Sequence, residues 1–89
     1  MTTIRRYGNH VVATAFGRAM KEARIEHRIT QEALAERANL DGSYPSLLER
    51  GQRTPGLPVV IAIGEAIGVG GDVLVRRTIE LLREEQQHR

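Results

Sequence analysis

Apolar residues recur three or four positions apart along most of this chain, which is the spacing of one face of an α-helix. The first such stretch predicts a helix from about Val11 to His27. Its apolar stripe consists of Val12, Phe16, Ala19, Met20, Ala23 and His27. Because the other positions are largely polar, this helix is expected to bury one face against a core.

A second, shorter helix is predicted to begin at Thr30. The Thr30 hydroxyl can accept a backbone N–H of the first helical turn, which stabilises the helix start. The residues of its buried face are Leu34, Ala35 and Ala38. The segment 39–41 (Asn-Leu-Asp) then breaks the helix.

The third helix is predicted over Gly42 to Arg50, with Asp41 as its N-cap and Gly51 ending it in a left-handed conformation. Helices this short are not stable alone, so both must dock on the rest of the chain. Two short helices joined by a tight turn, with small polar residues at the start of the second, are typical of a helix-turn-helix motif that reads DNA.

Two further helices complete the predicted all-α architecture. The fourth runs from about Leu57 to Ile67 and tolerates Pro58 in its first turn, and the fifth runs from about Asp72 to Gln86. The apolar stripe of the fifth helix is broad and contains Leu74, Val75, Ile79, Leu81 and Leu82. One side of this stripe can pack on the core of the domain. The remainder either caps the same core or contacts a second copy of the chain.

Composition narrows the class of protein. The 89 residues include no cysteine, 40% are hydrophobic and only 3% are aromatic, so the core is aliphatic with the single Phe16, and disulfides and thiolate zinc sites are excluded. No run approaches the ~20 apolar residues that span a bilayer. No apolar run follows the early arginines as in a signal peptide. We therefore expect a cytoplasmic protein with no membrane partner.

Charge is informative through its arrangement, because the net charge is only +2. Basic pairs occur at residues 5 and 6, at Arg50 and Arg53, and at Arg76 and Arg77. Each pair alone suits a solvated surface, but three pairs around one helix-turn-helix favour a polyanionic partner. Residues 1–10 are interpreted as a flexible basic arm, and residues 11–89 as the DNA-binding domain.

Catalytic and cofactor chemistry has little support. The glycine-rich stretch 68–71 matches neither phosphate-binding loop pattern. Ser43, Ser46, His10 and Asp41 show no nucleophile-elbow or base spacing, and the three histidines lack the spacing of metal ligands. The sequence therefore predicts no enzyme activity, no cofactor and no metal.

Several spaced motifs resemble the Cro and lambda-repressor type of helix-turn-helix protein, also called the XRE family. They are Phe16-Gly17-x-x-Met20-Lys21-x-x-Arg24, Ile29-Thr30-Gln31-x-x-Leu34-Ala35, Ser43-Tyr44-x-Ser46-x-x-Glu49-Arg50-Gly51-x-Arg53-x-Pro55-x-Leu57 and Ile67-Gly68-Val69. The resemblance implies a five-helix, lambda-repressor-like domain that binds double-stranded operator DNA, usually as a homodimer. Short chains of this kind are similar to restriction-modification controller proteins and small phage-type repressors.

The resemblance also implies roles for the helix-turn-helix residues. Base contacts are expected from Gly42, Ser43, Ser46 and Leu47 at the start and outer face of helix three. Phosphate contacts are expected from Thr30, Gln31, Tyr44, Arg50 and Arg53, although the Tyr44 ring could instead pack on the turn. Gly42 and Leu47 depart from the commoner pattern because neither offers a hydrogen-bonding side chain.

Two structural expectations accompany these roles. In the family, the matching arginine of helix one pairs with the matching glutamate of helix three, which implies an ion pair between Arg24 and Glu49. Pro45 stands where an aliphatic residue is usual. As the fourth helical position after Asp41, it is expected to lose the hydrogen bond to the Asp41 carbonyl and distort the first turn.

The last helix leaves two functional hypotheses open. The first is a homodimeric, sequence-specific, nucleoid-associated regulator of transcription, in which Leu74, Val75, Ile79 and Leu82 are expected to join two chains. Alternatively, the chain is an antitoxin or adaptor whose main partner is another protein, such as a toxin. Both the broad fifth helix and the thin set of base-reading side chains fit this second hypothesis.

Overall fold

A computed structural model describes residues 7–87 of the chain, with side chains through residue 85. Residues 7–87 form five α-helices and no strand, which confirms the predicted all-α class. The helices are α1 (Asn9–Glu26), α2 (Gln31–Ala38), α3 (Tyr44–Glu49), α4 (Leu57–Ile67) and α5 (Gly71–Gln87). Helix α1 packs against α5 and α3, and α4 packs against α5 and α2.

Every helix contributes at least one fully buried aliphatic side chain to a single core. These side chains are Met20, Leu34, Leu48, Ile63 and Leu74, one each from α1 to α5. Burial of each contributes about 1.5–3 kcal/mol to folding. The two short helices are therefore held by tertiary packing, as their length requires.

The helix ends agree with the predictions for α2 and α4 and differ for α1. Helix α1 begins at Asn9, two residues earlier than expected, because the N–H of Val12 bonds to the Gly8 carbonyl at 3.1 Å. The interpretation of the first residues as a flexible arm falls mainly on residues 1–6, which lie outside the described residues. At the other end, His27 follows the helix and is exposed rather than part of the apolar face.

The start of α3 corrects the predicted cap. Ser43 occupies the N-cap position, and Asp41 lies two residues earlier, in the turn, where its carboxylate accepts the Ser43 N–H at 3.1 Å. Pro45 is therefore the second helical residue, where no intrahelical donor is needed. The expected loss of a hydrogen bond at Pro45 was wrong, because the Asp41 carbonyl accepts from the Tyr44 N–H at 3.0 Å.

Two glycines allow helices to approach more closely than the sequence pattern indicated. A Cβ added at Gly17 of α1 would lie well inside 3.0 Å of the Leu48 carbonyl oxygen, and one at Gly64 of α4 would collide with the backbone of Gly70 and Gly71. The first contact seats the end of α3 on α1. The second forms the α4–α5 corner, where the chain turns by 106°.

The last helix buries only part of its predicted apolar stripe. Leu74 is fully buried and Leu82 is 5% exposed, whereas Val75 and Ile79 are 40% and 41% exposed. Leu74 therefore cannot belong to a surface between chains, because α1 and α4 already cover its side of α5. Within residues 7–87, no single helix is long and apolar enough to cross a bilayer; α4 and α5 reach that length and composition only as a sharply bent pair.

Candidate nucleic-acid interface

The C-terminal ends of α2 and α3 are each closed by a backbone hydrogen bond after a left-handed residue. Asn39 adopts the left-handed conformation after α2 (φ +56°), and the Leu40 N–H returns to the Ala35 carbonyl at 2.8 Å. After α3, Gly51 is left-handed as predicted (φ +72°), and the Gln52 N–H reaches the Leu47 carbonyl at 2.9 Å. These closures satisfy the last carbonyls of each helix and fix where the chain leaves it.

An ion pair beneath the motif joins α1 to α3. The Arg24 guanidinium donates to both carboxylate oxygens of Glu49, at 2.6 Å from Nε and 3.1 Å from Nη2. Its third hydrogen bond, from Nη1, goes to the Ile29 carbonyl at 2.8 Å. The Arg24 side chain is only 12% exposed and that of Glu49 only 3%. This bidentate, nearly buried geometry ties the third helix to the first and to the start of the motif.

Gln31, an expected phosphate contact, is linked to the same pair. Its Nε2 donates to Glu49 Oε1 at 3.0 Å, and the side chain is half-buried. An amide nitrogen carries two hydrogens, so one N–H of Gln31 remains after this bond. The sequence analysis missed the link, because a spacing of 18 residues between two helices carries no local signal.

The two other predicted phosphate contacts of the motif also take part in its structure. The Thr30 hydroxyl accepts the Ala33 N–H at 3.0 Å, which confirms its role as the α2 cap and leaves its own O–H hydrogen for a second partner. The Tyr44 ring is half-buried and packs against the core. Packing of the ring is therefore observed, and the phosphate contact of the hydroxyl stays a prediction.

The predicted base-reading residues differ in exposure. Gly42 and Ser43 are exposed, and Ser46 and Leu47 are half-buried. A Cβ added at Gly42 would meet no atom within 4 Å, so the turn there is open on the side that a longer side chain would occupy. The Ser43 hydroxyl donates to Asp41 Oδ2 at 2.5 Å. Of these four residues only the two serines carry a hydrogen-bonding side chain, as the sequence indicated.

The expected cationic contacts lie just beyond α3. Arg50 and Arg53 are both exposed, and their guanidinium groups bond only to nearby main-chain carbonyls: Arg50 Nε lies 3.3 Å from the Ser46 carbonyl, and Arg53 Nη1 lies 3.2 Å from that of Gln52. Arg77 of the third basic pair instead forms an ion pair with Glu26 of α1 at 3.0 Å. Its charge is therefore partly neutralised within the molecule.

An apolar groove of about 190 Å³ lies between α1, α5 and the loop after α3. Its lining includes the exposed Val75 and Ile79 and the buried Leu82, and the loop contributes Thr54 and Pro55. Thr78, a buried polar residue that also lines the groove, donates its hydroxyl hydrogen to the Leu74 carbonyl at 2.7 Å. The face is therefore apolar and has its polar atoms satisfied.

The histidines are not arranged as metal ligands in the part of the chain that the structure describes. Over residues 7–87, no group of three or more histidine, cysteine, aspartate or glutamate side chains is placed to hold a metal ion. His27 Nδ1 lies 3.0 Å from the Ala23 carbonyl, within hydrogen-bond distance. His88 lies outside the described residues.

Comparisons with known proteins agree with this geometry. A family model described as a helix-turn-helix domain matches residues 15–77. The immunity repressor protein of Bacillus phage phi105 is 37% identical over 70 residues, which are 79% of this chain and 48% of the repressor. The chain thus spans about half the length of this curated relative.

Solved structures of regulators share the fold. The restriction-modification controller protein C.AhdI from Aeromonas hydrophila superposes with a TM-score of 0.67 at 32% identity, covering 70% of this chain and 94% of that protein. The wild-type restriction-modification controller protein C.Esp1396I superposes with a TM-score of 0.74 at 27% identity, covering 82% of this chain and 95% of that protein. The clp gene regulator ClgR from Corynebacterium glutamicum gives 0.77 over 86% and 84% of the two chains, and at 23% identity it supports the fold alone.

The matched region extends from the middle of α1 into α5 and includes the ion pair, the turn and both helices of the motif. This family consists of DNA-binding regulators and not of enzymes. The chain is therefore a member of the XRE-like helix-turn-helix family of transcriptional regulators.

Proposed function

We propose that this protein is a sequence-specific regulator of transcription that binds a palindromic or nearly palindromic operator as a homodimer. The observation that carries this proposal is the construction of the motif. Its inner side is fixed by the bidentate Arg24–Glu49 ion pair, while Gly42 and Ser43 on its outer side remain exposed. A recognition helix needs both properties, because its side chains must reach base edges without moving relative to the backbone contacts.

The phosphate contacts are assigned to groups that keep a donor after their internal hydrogen bonds are made. Thr30 retains its hydroxyl hydrogen and Gln31 one amide hydrogen, and both stand at the start of α2, where the helix dipole favours an anion. Tyr44 contributes its hydroxyl, and Arg50 and Arg53 contribute exposed cations. These contacts position the protein on the duplex and are independent of sequence.

Base reading is assigned to Gly42, Ser43, Ser46 and Leu47. The Leu47 side chain suits a thymine methyl group, and Gly42 lets the backbone approach the base edges. With so few hydrogen-bonding side chains, we expect a sizeable share of specificity to come from DNA bending and groove width. Base-pair changes at positions that the protein does not touch should then change its affinity.

The homodimer is assigned to the exposed part of α5, with Val75 and Ile79 as the contacting residues and Leu82 in the lining of the adjoining groove. Two copies related by a two-fold axis would place their α3 helices about 34 Å apart, which matches half-sites roughly 10 base pairs apart. The proposed location of such a regulator is the cytoplasm, where it would be bound to operator DNA in the nucleoid.

The proposal is tested by a mobility-shift assay and footprinting with the DNA upstream of its own gene, together with sedimentation of the free protein. We expect a symmetric footprint and a dimer. A protein that remains monomeric at high concentration contradicts the dimer, and one that ignores every duplex at low ionic strength contradicts DNA binding.

The second candidate is an antitoxin or adaptor, favoured by the apolar groove beside α5. A pull-down with the tagged chain distinguishes it, since a toxin-like partner that binds stoichiometrically and covers Val75 and Ile79 would favour this function. Dimerisation in the absence of any such protein favours the regulator.

A further inference from the structure

Both hydrogen-bond donors of Ser43, its main-chain N–H and its hydroxyl, already have an acceptor within the free protein. Its hydroxyl donates to Asp41 Oδ2 at 2.5 Å, and its main-chain N–H donates to the same oxygen at 3.1 Å. A serine hydroxyl carries one hydrogen and two lone pairs. With that hydrogen directed at a carboxylate, Ser43 Oγ presents lone pairs alone to an incoming partner.

The carboxylate that holds this hydrogen stays ionised. The hydrogen bond from the Ser43 hydroxyl lowers the pKa of Asp41 below its usual value of 3.8, and the bond from the Ser43 N–H lowers the pKa further. At neutral pH the Asp41 carboxylate therefore has no hydrogen to donate and can only accept hydrogen bonds. The bond between the two residues must run from the serine hydroxyl to the aspartate. A short bond to a charged acceptor is also the stronger kind.

In the major groove each base pair presents one amino group and one keto oxygen, and which base carries each group depends on the sequence. Adenine N6 and cytosine N4 donate hydrogen bonds, whereas thymine O4 and guanine O6 accept them. A serine that can only accept is satisfied by adenine or cytosine. Facing thymine or guanine, its lone pairs and the neighbouring carboxylate would meet another acceptor.

We propose that the Asp41–Ser43 pair makes this protein a reader of amino groups at one base pair of each half-site, selecting adenine or cytosine over thymine or guanine on the strand that Ser43 faces. The inference rests on the proposed function, because it names what one assigned base contact prefers. Asp41 acts here as a positioning residue that sets the hydrogen-bonding character of Ser43.

The surroundings leave the pair free to act in this way. Asp41, Gly42 and Ser43 are all exposed, and no side chain stands between the two polar residues. An atom placed at the Cβ position of Gly42 would have nothing within 4 Å. A base edge can therefore approach Ser43 from the side on which Gly42 lacks a side chain.

The experiment is selection of binding sites from randomised duplexes by the purified full chain and three variants. The base pair that Ser43 contacts is identified as the position at which the Ser43→Ala variant loses the base preference shown by the unmodified protein. At that position the unmodified protein should prefer adenine or cytosine by about tenfold, which corresponds to ~1.4 kcal/mol. Asp41→Ala should reduce this ratio towards one, because the freed serine hydrogen can also be donated to thymine or guanine.

Asp41→Asn is the matched control for charge. The Ser43 N–H and O–H both point at one oxygen of residue 41, so the amide oxygen replaces it and the preference for amino groups should survive, while the affinity for all duplexes rises as a negative charge near the phosphates is removed. The preference at the base pair read by Ser46 should be the same in all variants. Circular dichroism melting confirms that each variant is folded.

The outcomes separate the inference from the function on which it rests. A chain that binds no duplex, or binds every duplex equally, overturns the proposed function and this inference with it. A chain that selects DNA but shows guanine or thymine at the Ser43 base pair overturns the inference alone. The inference alone is also overturned if Ser43→Ala changes the base preference at no position of the site. It is overturned likewise if Asp41→Ala keeps the preference for adenine or cytosine at the Ser43 base pair.

Discussion

The two candidate functional faces of this molecule differ in the contacts that accompany their apolar packing. At the edge formed by α2, the turn and α3, the packing of Leu34 and Leu48 is accompanied by a hydrogen-bonded network that joins Arg24, Glu49 and Gln31. The α4–α5 corner is held by backbone proximity at Gly64 and by apolar packing of Leu74. The first region exposes polar groups and few apolar ones, and the second exposes Val75, Ile79 and an apolar groove.

The difference follows from what each face is proposed to bind. Hydrogen bonds have directional geometry, so a polar network fixes the orientation of α3 as well as its position. Contact with a second copy depends mainly on the shape and area of an apolar surface. A defect in the network should therefore lower stability and, through it, DNA binding, whereas a change on the exposed side of α5 should leave the stability of the fold unchanged and weaken assembly and the operator binding that depends on it.

The largest expected effect is on stability, from Glu49→Ala. This substitution leaves the nearly buried Arg24 without its carboxylate, which costs about 3–5 kcal/mol and reduces DNA binding only through loss of the folded state. Thermal melting followed by circular dichroism measures it. The control is Glu22→Ala, which breaks the exposed Arg18–Glu22 pair and should cost no more than about 1 kcal/mol. An unchanged melting temperature for Glu49→Ala would contradict the structural role of the pair.

The next largest effect is expected at the corner. Gly64→Ala should destabilise the fold by about 1–3 kcal/mol, despite the better helix propensity of alanine, because its methyl group would collide with the backbone of Gly70 and Gly71. Denaturant unfolding measures the change. Gly42→Ala is the matched control on the other face, where nothing lies within 4 Å, and it should leave stability nearly unchanged. Equal losses at both glycines would remove the contrast between the two regions.

Assembly should respond to a charge on the exposed side of α5. Ile79 is 41% exposed, so Ile79→Asp should leave the monomer fold intact and weaken the proposed dimer by at least tenfold, since an unpaired carboxylate would be buried between copies. Sedimentation equilibrium gives the dimer constant. If Ile79→Asp dimerises as well as the unmodified protein, a different surface joins the chains.

The smallest effect is expected from Arg53→Ala. Arg53 is exposed and bonds only to the adjacent Gln52 carbonyl, so its removal should not change stability. Binding should weaken by a similar factor on all duplexes, and the slope of log affinity against log salt should fall by about 0.9. Titrations at several salt concentrations measure both quantities. A changed base preference with an unchanged slope would contradict a phosphate contact.

Local signals in the sequence located most of the fold. Side-chain periodicity, the Thr30 cap, the left-handed Gly51 and the early Pro58 of α4 each depend on neighbours within about one helical turn, so they can be inferred without tertiary structure. The ends of α2 and α4 were predicted as observed for this reason. The ion pair was expected only because the spaced motifs resemble those of a family.

Other features required the folded chain. Asp41 and Ser43 are both good capping residues, and only the observed turn assigns the N-cap position to Ser43 and the turn contact to Asp41. Gln31 meets Glu49 across two helices, and no local pattern indicates that contact.

For residues 7–87, the sequence by itself determined the five helices, their ends to within about two residues, and the family to which they belong. These properties depend on local propensity and on spaced motifs. Only the tertiary structure decided that Leu74 is buried while Val75 and Ile79 of the same stripe remain exposed. Periodicity gives the direction of an apolar face, but the share of it that neighbouring helices cover depends on how closely they approach. Here Gly64 allows the close approach of α4 to the start of α5.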